Sequence, residues 1–460
     1  MSQSPFSTLK LNSALLKNLS TLGYHVMTPI QEQSLPYILD GKDVIAQGKT
    51  GSGKTAAFGL GLLDNLNVKR FRIQSLILCP TRELADQVAK EIRRLGRAIH
   101  NIKVLTLCGG MPFGPQIGSL EHGAHIIVGT PGRIEEHLRK GTLRLDNLNT
   151  FVLDEADRML EMGFQTALDA IIEHTPVKRQ TLLFSATFPD KIKSIARRIM
   201  KQPVMVEVAS SHDNTTIEQH LYKIDDNSQR LTAVRLLLLY YRPESVIIFC
   251  NTKLETQEVA DELADYGFSV LALHGDLEQR DRDQTLVRFS NKSISILVAT
   301  DVASRGLDID ALDIVINYHL ARDTEVHVHR IGRTGRAGSK GFACTLYTEK
   351  ESYKLAKLEE YLGHSINTES LPPINLLDKP TYKPPMVTLQ ISGGKKQKVR
   401  PGDILGALTG GGEITGQEVG KIQLFDNFSY VAVNRGIAEA ALKKLTDGKL
   451  KGRTFRIRKI

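Results

Sequence analysis

Short apolar runs alternate with longer segments of helical periodicity between about residue 40 and residue 350. The runs are four or five residues long, and the segments between them repeat apolar residues at intervals of three and four. This alternation is typical of βαβ units, in which buried parallel strands are joined by helices that cover the sheet. The pattern predicts an α/β fold for this part of the chain.

The predicted strands occur twice in the same order. Residues 76–79, 104–107 and 126–130 correspond to residues 247–250, 270–273 and 296–300 at a nearly constant offset. Small or polar residues follow each run, and loops at the carboxyl ends of parallel strands form the ligand crevice of such sheets. Any two parallel sheets share some of this pattern, but the order and spacing favour two homologous domains.

Two linkers and a third domain follow from composition. The polar stretch 209–216 separates the two halves, and residues 366–385 contain five prolines, which favour an extended and semi-rigid tether. Beyond it, strands are predicted near residues 387–391, 419–425, 428–433 and 454–459, with helices near residues 403–408 and 437–445. This βαββαβ order predicts a small α+β domain resembling an RNA-recognition motif. The predicted domains are residues 1–208, 217–365 and 386–460.

The positive charge of the chain lies in its last domain. The formal net charge is +9, and residues 383–460 hold 15 Lys or Arg against 6 Asp or Glu, which accounts for all of it. A basic module on a neutral body indicates a polyanion partner, with nucleic acid favoured over an acidic membrane surface.

The sequence also indicates a compartment. We find neither a signal-peptide layout nor an apolar run long enough to span a bilayer, so no membrane association is expected. The four scattered cysteines lack paired spacing and sit in or beside apolar runs. They are interpreted as buried thiols of a cytoplasmic protein.

Residues 48–55 form a complete G-x-x-x-x-G-K-T phosphate loop between a short apolar run and a helix-forming segment. Glycines such as Gly51 and Gly53 let backbone N–H groups of the loop, including that of Ser52, face phosphate oxygens. Lys54 is predicted to reach the outer phosphates, and the Thr55 hydroxyl is predicted to bind Mg²⁺. ATP and Mg²⁺ are therefore the expected cofactors.

Two carboxylates follow the strand predicted at residues 151–153. Asp154 is suited to hold Mg²⁺, usually through water, and Glu155 to position or deprotonate the attacking water. Carboxylates after a strand are often only a solvated helix start. Together with a phosphate loop, they indicate ATP hydrolysis.

The segment His329–Arg336 places arginines at every third position among glycines. The fixed charge and forked donors of arginine suit a transferring phosphoryl group, although a basic patch that merely contacts nucleic acid is the alternative. Only the first half has the phosphate loop, and only the second half has this run. We therefore expect one ATP site that both halves complete, with ATP acting as a clamp ligand.

From about residue 6 to residue 362 the chain resembles the DEAD-box RNA helicases, because the phosphate loop, the Asp154–Asp157 segment and the arginine run all match that family. The resemblance implies two tandem RecA-like parallel-sheet domains and ATP hydrolysis coupled to local RNA unwinding. It implies that Phe6 and Gln31 contact the nucleotide base and that Asp308 meets the ribose.

The resemblance also assigns roles around the reaction and along the RNA. Arg333 and Arg336 are implied to be arginine fingers, and Ser185 and Thr187, with Asp157, are implied to couple hydrolysis to unwinding. Glycines, hydroxyls and arginines at the strand ends suit contacts to phosphates and 2′-hydroxyls rather than to base edges. The residues implied to face RNA in the two domains are Arg82, Gly110, Thr130, Arg133, Thr252, Gly275, Arg282 and Thr300.

The complete arrangement is most similar to a bacterial branch of the family whose tail recognises a hairpin of 23S ribosomal RNA. The implied partners are that hairpin and precursors of the large ribosomal subunit, and no obligate protein partner is evident. Lys395, Lys396 and Lys398 are expected to contact phosphates, whereas Phe428 and Tyr430 share one face of a strand and are expected to stack on bases.

Three alternatives stay open at this point. One is an ATP-gated RNA clamp or scaffold with little turnover. Another is a DEAD-box helicase with a non-ribosomal RNA target, and the third is a DNA translocase built on the same two-domain core.

Overall fold

The computed structural model describes residues 4–48, 51–208, 217–304, 312–335 and 341–460. These residues form two compact units, which divide in the segment between residues 208 and 217. Residues 4–208 are called the first lobe. The second unit contains the second lobe, residues 217–365, and the tail domain, residues 386–460. No described helix combines the length and apolarity that crossing a bilayer requires.

The first lobe is a seven-stranded parallel sheet between layers of helices. Its strands are β1 (Val44–Gln47), β2 (Ser75–Leu78), β3 (Val104–Leu107), β4 (Ile126–Gly129), β5 (Thr150–Asp154), β6 (Gln180–Ser185) and β7 (Val204–Glu207). Its helices are α1 (Ser13–Thr21), α2 (Pro29–Leu39), α3 (Lys54–Asp64), α4 (Arg82–Leu95), α5 (Phe113–Glu121), α6 (Pro131–Arg139), α7 (Ala156–Glu161), α8 (Gln165–Glu173) and α9 (Asp190–Ile199). The spatial strand order is β3-β4-β2-β5-β6-β1-β7.

Both faces of this sheet are buried. Successive residues of one strand point to opposite faces, so Leu76 and Leu78 join one hydrophobic core while Ile77 and Cys79 join the other. This double burial explains why the strands read as continuous apolar runs rather than as an alternating pattern.

The second lobe repeats this architecture. Its strands are β8 (Ile217–Ile224), β9 (Val246–Cys250), β10 (Val270–Leu273), β11 (Ile296–Thr300), β12 (Ile314–Asn317) and β13 (Gly341–Thr348), and β14 (Thr368–Glu369) joins the edge of the sheet. Its helices are α10 (Arg230–Tyr241), α11 (Lys253–Asp265), α12 (Gln279–Ser290), α13 (Asp301–Ser304), α14 (Thr324–Ile331) and α15 (Ser352–Leu362). The order β10-β11-β9-β12-β13-β8-β14 matches the first sheet strand for strand, which confirms the predicted duplication.

The tail domain has the predicted βαββαβ order. Its strands are β15 (Met386–Ile391), β16 (Val419–Leu424), β17 (Ser429–Asn434) and β18 (Ile457–Lys459), and its helices are α16 (Pro401–Thr409) and α17 (Ala438–Asp447). The strands form an antiparallel sheet in the order β16-β17-β15-β18. The last strand is three residues shorter than the sequence predicts.

The proline-rich segment before the tail packs along the second lobe. The Thr381 hydroxyl donates to the Gly267 carbonyl at 3.0 Å, and the Tyr382 ring lies 6.3 Å from that of Phe268. The Arg242 guanidinium lies 5.6 Å from the Tyr382 ring centre. Side chains of this segment therefore contact the second lobe, and its role as a semi-rigid linker stays a prediction.

The four cysteines, Cys79, Cys108, Cys250 and Cys344, are buried and unpaired. They lie in or directly after core strands, as the apolar runs around them predict. Their interpretation as core thiols is confirmed.

Candidate nucleotide site and nucleic-acid surfaces

The phosphate loop connects β1 to α3 at the carboxyl edge of the first sheet. Gly51 and Gly53 have φ of 81° and 93°, a region that glycine enters without strain. Lys54 is the first residue of α3, and its ammonium donates to the Gly48 carbonyl at 2.8 Å. Thr55 follows it in the same turn. The loop therefore places a lysine, a hydroxyl and a helix N-terminus together, as phosphate binding requires.

Gln31 is tied to this loop. Its amide N–H donates to the Gly53 carbonyl at 3.1 Å, and its amide oxygen accepts from the backbone N–H of Thr28. The Thr28 hydroxyl donates to the Ser52 carbonyl at 2.7 Å. A side chain at position 53 would collide with Gln31, since an added Cβ would lie 2.4 Å from its amide nitrogen. The base-reading candidate is thus held against the phosphate loop.

Phe6 packs within the first lobe. It is 3% exposed and belongs to the hydrophobic core of the first lobe, where its ring meets Tyr24 edge-on at 6.2 Å between ring centres. Its implied contact with the nucleotide base stays a prediction.

Asp154 and Glu155 lie at the carboxyl end of β5. Burial raises the pKa of the Asp154 carboxyl to about 7, although Lys54 acts in the opposite direction. Glu155 has a left-handed backbone, with φ of 53°, directly before α7. Left-handed backbone is costly for a residue other than glycine and is often retained at functional sites.

The residues present fit a hard divalent cation. The Asp154 Oδ1 atom is buried and has no hydrogen-bond partner among the described residues, and the same holds for the Ser52 hydroxyl. An ionised carboxylate and a nearby hydroxyl such as that of Thr55 are oxygen ligands of the kind Mg²⁺ prefers. A cation there would compensate the buried negative charge that the protein leaves unbalanced.

The three residues predicted to couple hydrolysis to unwinding lie together. The Thr187 backbone N–H and hydroxyl both donate to the Asp157 carboxylate, at 2.9 and 3.0 Å. The Asp157 N–H donates to the Ser185 hydroxyl at 3.3 Å. This arrangement joins the loop after β6 to the carboxylate loop after β5.

The RNA-facing candidates of the first lobe meet at neighbouring strand ends. Arg82 follows β2 and lies against Gly110, where an added Cβ would be 2.3 Å from the guanidinium. The Gly109 N–H donates to the Thr130 hydroxyl at 3.4 Å. Arg133 is directed inward, since its guanidinium donates to the Met111 carbonyl at 3.0 Å.

The equivalent candidates of the second lobe also lie at strand ends. Thr252 caps α11 by accepting from the Glu255 N–H at 3.2 Å, and the Thr300 hydroxyl accepts from Ala303 after β11. Arg282 donates to the carbonyl of His274, beside Gly275, at 3.5 Å. The predicted surfaces of both lobes therefore sit at corresponding edges of corresponding sheets.

Arg330 is a residue whose local role sequence reasoning missed. It is 2% exposed, and its guanidinium forms a two-pronged ion pair with Asp301 at 2.6 and 2.8 Å. It also donates to the Asn251 side chain at 3.3 Å. Arg333 lies just beyond α14, where its carbonyl accepts from the Leu312 N–H. Arg336 and Asp308 lie outside the described residues.

The basic residues of the tail are exposed. Lys395 and Lys396 lie in a short 3-10 turn, and Lys398 follows with a left-handed backbone, with φ of 60°. Their positions leave them accessible to a polyanion.

The expected stacking face of the tail is covered by the second lobe. Tyr430 is 4% exposed and accepts a hydrogen bond from Gln390, while Phe428 lies under the Arg280 guanidinium at 5.4 Å. Beside them, the Thr388 hydroxyl bonds to Ser293 at 2.7 Å and to Asn291 at 3.1 Å. In this structure that face is a domain interface, and the stacking of Phe428 and Tyr430 on bases stays a prediction.

Three family models match the chain in succession. The DEAD/DEAH box helicase model matches residues 28–195, and the helicase conserved C-terminal domain model matches residues 227–338. The DbpA RNA binding domain model matches residues 388–459.

Relatives match over the whole length. The chain is 53% identical to the ATP-dependent RNA helicase DbpA of Escherichia coli, across 98% of this chain and 99% of that protein. It is 37% identical to the protein of the same name from Bacillus subtilis, across 99% of each.

Solved structures of RNA-bound proteins are also similar to this chain. Saccharomyces cerevisiae Dbp5 bound to RNA and ADP BeF3 is 31% identical with a TM-score of 0.72, covering 80% of this chain and 95% of that one. Mss116p bound to ssRNA and AMP-PNP is 27% identical with a TM-score of 0.73, covering 83% and 82%.

Twin parallel sheets, of which one carries a phosphate loop and paired carboxylates, define an ATP-hydrolysing enzyme of the helicase class. With the full-length relatives, the finer assignment follows. The chain belongs to the DEAD-box ATP-dependent RNA helicases, and within them to the DbpA type. It is an RNA-dependent ATPase that carries its own RNA-binding domain.

Proposed function

We propose that this helicase remodels 23S ribosomal RNA during assembly of the large ribosomal subunit, with the tail domain binding an rRNA hairpin. The observation that carries the proposal is the tail itself, which holds the net positive charge of the chain and leaves Lys395, Lys396 and Lys398 exposed. Its sheet face packs on the second lobe, so this basic edge is the surface we assign to the hairpin. The buried free thiols support a cytoplasmic location.

The domain limits proposed from the sequence serve this function. Residues 1–208 bind the nucleotide, residues 217–365 form the second helicase domain, and residues 386–460 recognise the hairpin. Residues 366–385 connect the last two.

We assign the chemical step to a small set of groups in the first lobe. Lys54 neutralises the outer phosphates of ATP, and Glu155 orients and deprotonates the attacking water. Asp154 and Thr55 would hold Mg²⁺, which supplies charge neutralisation on the phosphates when bound. The backbone N–H groups of residues 51–53 bind the phosphate chain, and Gln31 reads the base.

The remaining roles belong to the second lobe and to the RNA surfaces. Arg333 and Arg336 supply fixed positive charge to the transferring phosphoryl group, and Asp308 binds the ribose. Ser185, Thr187 and Asp157 transmit the state of the nucleotide. The strand-end residues that bind the RNA backbone are Arg82, Gly110, Thr130, Arg133, Thr252, Gly275, Arg282 and Thr300, of which Arg133 would have to release its internal contacts.

The proposal is tested by ATPase stimulation. A 23S rRNA fragment that contains the hairpin should stimulate turnover at a lower concentration than unrelated RNA of equal length, by at least about tenfold, because specific RNA recognition adds a few kcal/mol to backbone binding. The triple variant Lys395→Gln, Lys396→Gln, Lys398→Gln should lose most of that preference. Lys443→Gln, Lys444→Gln and Lys449→Gln remove the same charge elsewhere on the tail and serve as the matched control.

Equal stimulation by both RNAs would exclude the ribosomal target while leaving the helicase assignment intact. Glu155→Gln identifies the source of the signal, since it should still bind ATP and RNA but lose turnover. RNA-stimulated ATPase that persists in this variant would remove Glu155 from the proposed mechanism.

A further inference from the structure

The second lobe keeps the framework of a nucleotide site without the phosphate loop. Strand β8 occupies the position in its sheet that β1 occupies in the first sheet. Arg230 is the first residue of the helix after β8, as Lys54 is the first residue of the helix after β1. Both side chains are buried, with exposures of 1% and 6%. Arg230 therefore stands where the first lobe has its phosphate-loop lysine.

Arg230 is fully engaged inside the second lobe. Its guanidinium donates to the carbonyls of Tyr318 and Leu346 and to the side chain of Asn227. It also forms an ion pair with Glu351, which follows β13. The sheet edge that receives a nucleotide in the first lobe is thus closed here by an internal cation and its carboxylate partner.

From Glu351 the contacts continue across the same edge. His319, which follows β12, has its Nδ1 atom 3.8 Å from the Glu351 carboxylate and its Nε2 atom 2.5 Å from the Glu255 carboxylate. The other Glu255 oxygen accepts from the Asn251 backbone N–H at 3.1 Å. Asn251 immediately precedes Thr252, so the chain of contacts ends at a strand-end loop assigned to RNA.

We infer that Arg230, Glu351, His319 and Glu255, here called the edge network, are positioning residues that fix the Asn251–Thr252 loop for RNA binding. The inference rests on the proposed RNA contact of Thr252. The edge of the second sheet that corresponds to the nucleotide site of the first lobe thus supports the neighbouring loop that we assign to RNA. None of the four side chains needs to touch RNA for this role.

Protonation of His319 is part of the arrangement. Burial acts to lower the pKa of His319, but the hydrogen bond to Glu255 and the nearby Glu351 carboxylate outweigh it, so the pKa is raised. The charged imidazolium therefore joins the two carboxylates below this pKa, and the link weakens as the pH rises through it. The charged and titratable groups that face His319 are Arg230, Glu255, Tyr318, Arg330 and Glu351.

The test is RNA-stimulated ATPase of the full chain with a single-stranded RNA. In Glu255→Gln and His319→Gln, the KM for RNA should rise roughly three- to tenfold while kcat at saturating RNA stays within about twofold, because each change removes a charge-assisted hydrogen bond that acts only through the loop. In the wild type, the KM for RNA should rise with pH above neutrality, and in His319→Gln this rise should be absent. Circular dichroism establishes that each variant is folded.

A matched control lies next to the edge network. Glu349 forms an exposed ion pair with Lys223 only two residues from Glu351, and Glu349→Gln should leave the KM for RNA and its pH profile unchanged. Thr252→Asp keeps a side chain that can cap α11 while it repels phosphate, so it tests the RNA contact itself.

The outcomes distinguish the proposed RNA contact of Thr252 from the positioning role of the edge network. If Thr252→Asp leaves the KM for RNA unchanged, the proposed RNA contact fails and the inference falls with it. If Thr252→Asp raises this KM but Glu255→Gln and His319→Gln do not, only the positioning role is refuted. A loss of kcat at constant KM would refute it as well. Should Glu255→Gln not fold, His319→Gln and its pH profile decide alone.

Discussion

The Asp154 carboxylate is needed to bind a cation, but burying its charge lowers the stability of the fold. Its carboxyl group is buried, and burial is the main reason that its pKa is raised to about 7. A raised pKa means that the folded protein favours the neutral acid, whereas binding a cation requires the carboxylate. The folded state is therefore destabilised as the pH rises from the pKa of the unfolded chain, near 3.9, towards 7.

Replacing this carboxyl by an amide should stabilise the protein while inactivating it. Asp154→Asn is expected to unfold at a higher temperature than the wild type at pH 8 in EDTA without nucleotide, since it removes a penalty on the order of a few kcal/mol. The difference should shrink as the pH falls towards 4, where the wild-type carboxyl is neutral in the folded protein and partly neutral in the unfolded one. Thermal melts at both pH values measure this.

Asp146→Asn provides the control for that prediction, because Asp146 lies on the surface and pairs with Arg144 alone among the described residues. It should leave the melting temperature nearly unchanged at both pH values. A lower melting temperature for Asp154→Asn at pH 8 would show that the buried charge is already compensated in the resting protein.

Residues that belong to a short motif could be read from the sequence, and those that depend on distant partners could not. Lys54 and Asp154 each follow a strand in a recognisable local pattern, so their setting was predictable. Arg230 carries no such pattern, because the segment before it lacks the glycines of a phosphate loop. If the duplication is extended by one strand, β8 pairs with β1, and Arg230 is then recognisable as the counterpart of Lys54.

At the scale of elements, the contact of β15 with residues 291–293, directly after α12, determines which face of the tail sheet is accessible. The Thr388 hydroxyl donates to Ser293 and accepts from Asn291, and it is completely buried. In the structure it is a hydrogen-bonding contact between the tail domain and the second lobe.

Removing that hydroxyl should loosen the tail. Thr388→Val has nearly the same shape but leaves buried polar groups without a partner, at a cost of about 1–3 kcal/mol. We expect faster amide hydrogen exchange in β15 and a lower urea midpoint for the second unit. Thr409→Val, at a half-buried position where the hydroxyl bonds within α16, should change the free energy of unfolding by less than about 0.5 kcal/mol. Equal effects of both variants would argue against a stabilising interface.

The elements themselves were largely predictable, whereas their contacts between domains were not. Core strands such as β2 and β9 are continuous apolar runs, and the two copies reinforce each other. The packing of Tyr382 and the covering of Tyr430 depend on surfaces more than a hundred residues away along the chain, such as those around Gly267 and Arg280. Local periodicity contains no information about such partners.

At the scale of the whole molecule, the described chain has two units although it has three domains. The tail packs with the second lobe, and no nucleotide-binding residue of the phosphate loop lies in that unit. The two units should therefore unfold separately, and a nucleotide should stabilise only the first lobe.

Differential scanning calorimetry should show two main transitions rather than three. ADP at a hundred times its Kd should raise the transition of the first lobe by the equivalent of about 2.7 kcal/mol and leave the other nearly unchanged. Asp154→Asn identifies the first-lobe transition, since it should shift the same one. A third transition, moved by Thr388→Val alone, would show that the tail unfolds independently.

Helix α12 serves two surfaces at once. It directs Arg282 towards the strand-end loops that we assign to RNA and Arg280 towards Phe428 of the tail. Under the proposed function, a hairpin bound by the tail and a strand held by those loops are attached to the same compact unit, at a spacing set by the protein. The proposal then implies that the enzyme selects the RNA helix that it unwinds by its distance from the hairpin, and that a helix nearer or farther along the same RNA is not unwound.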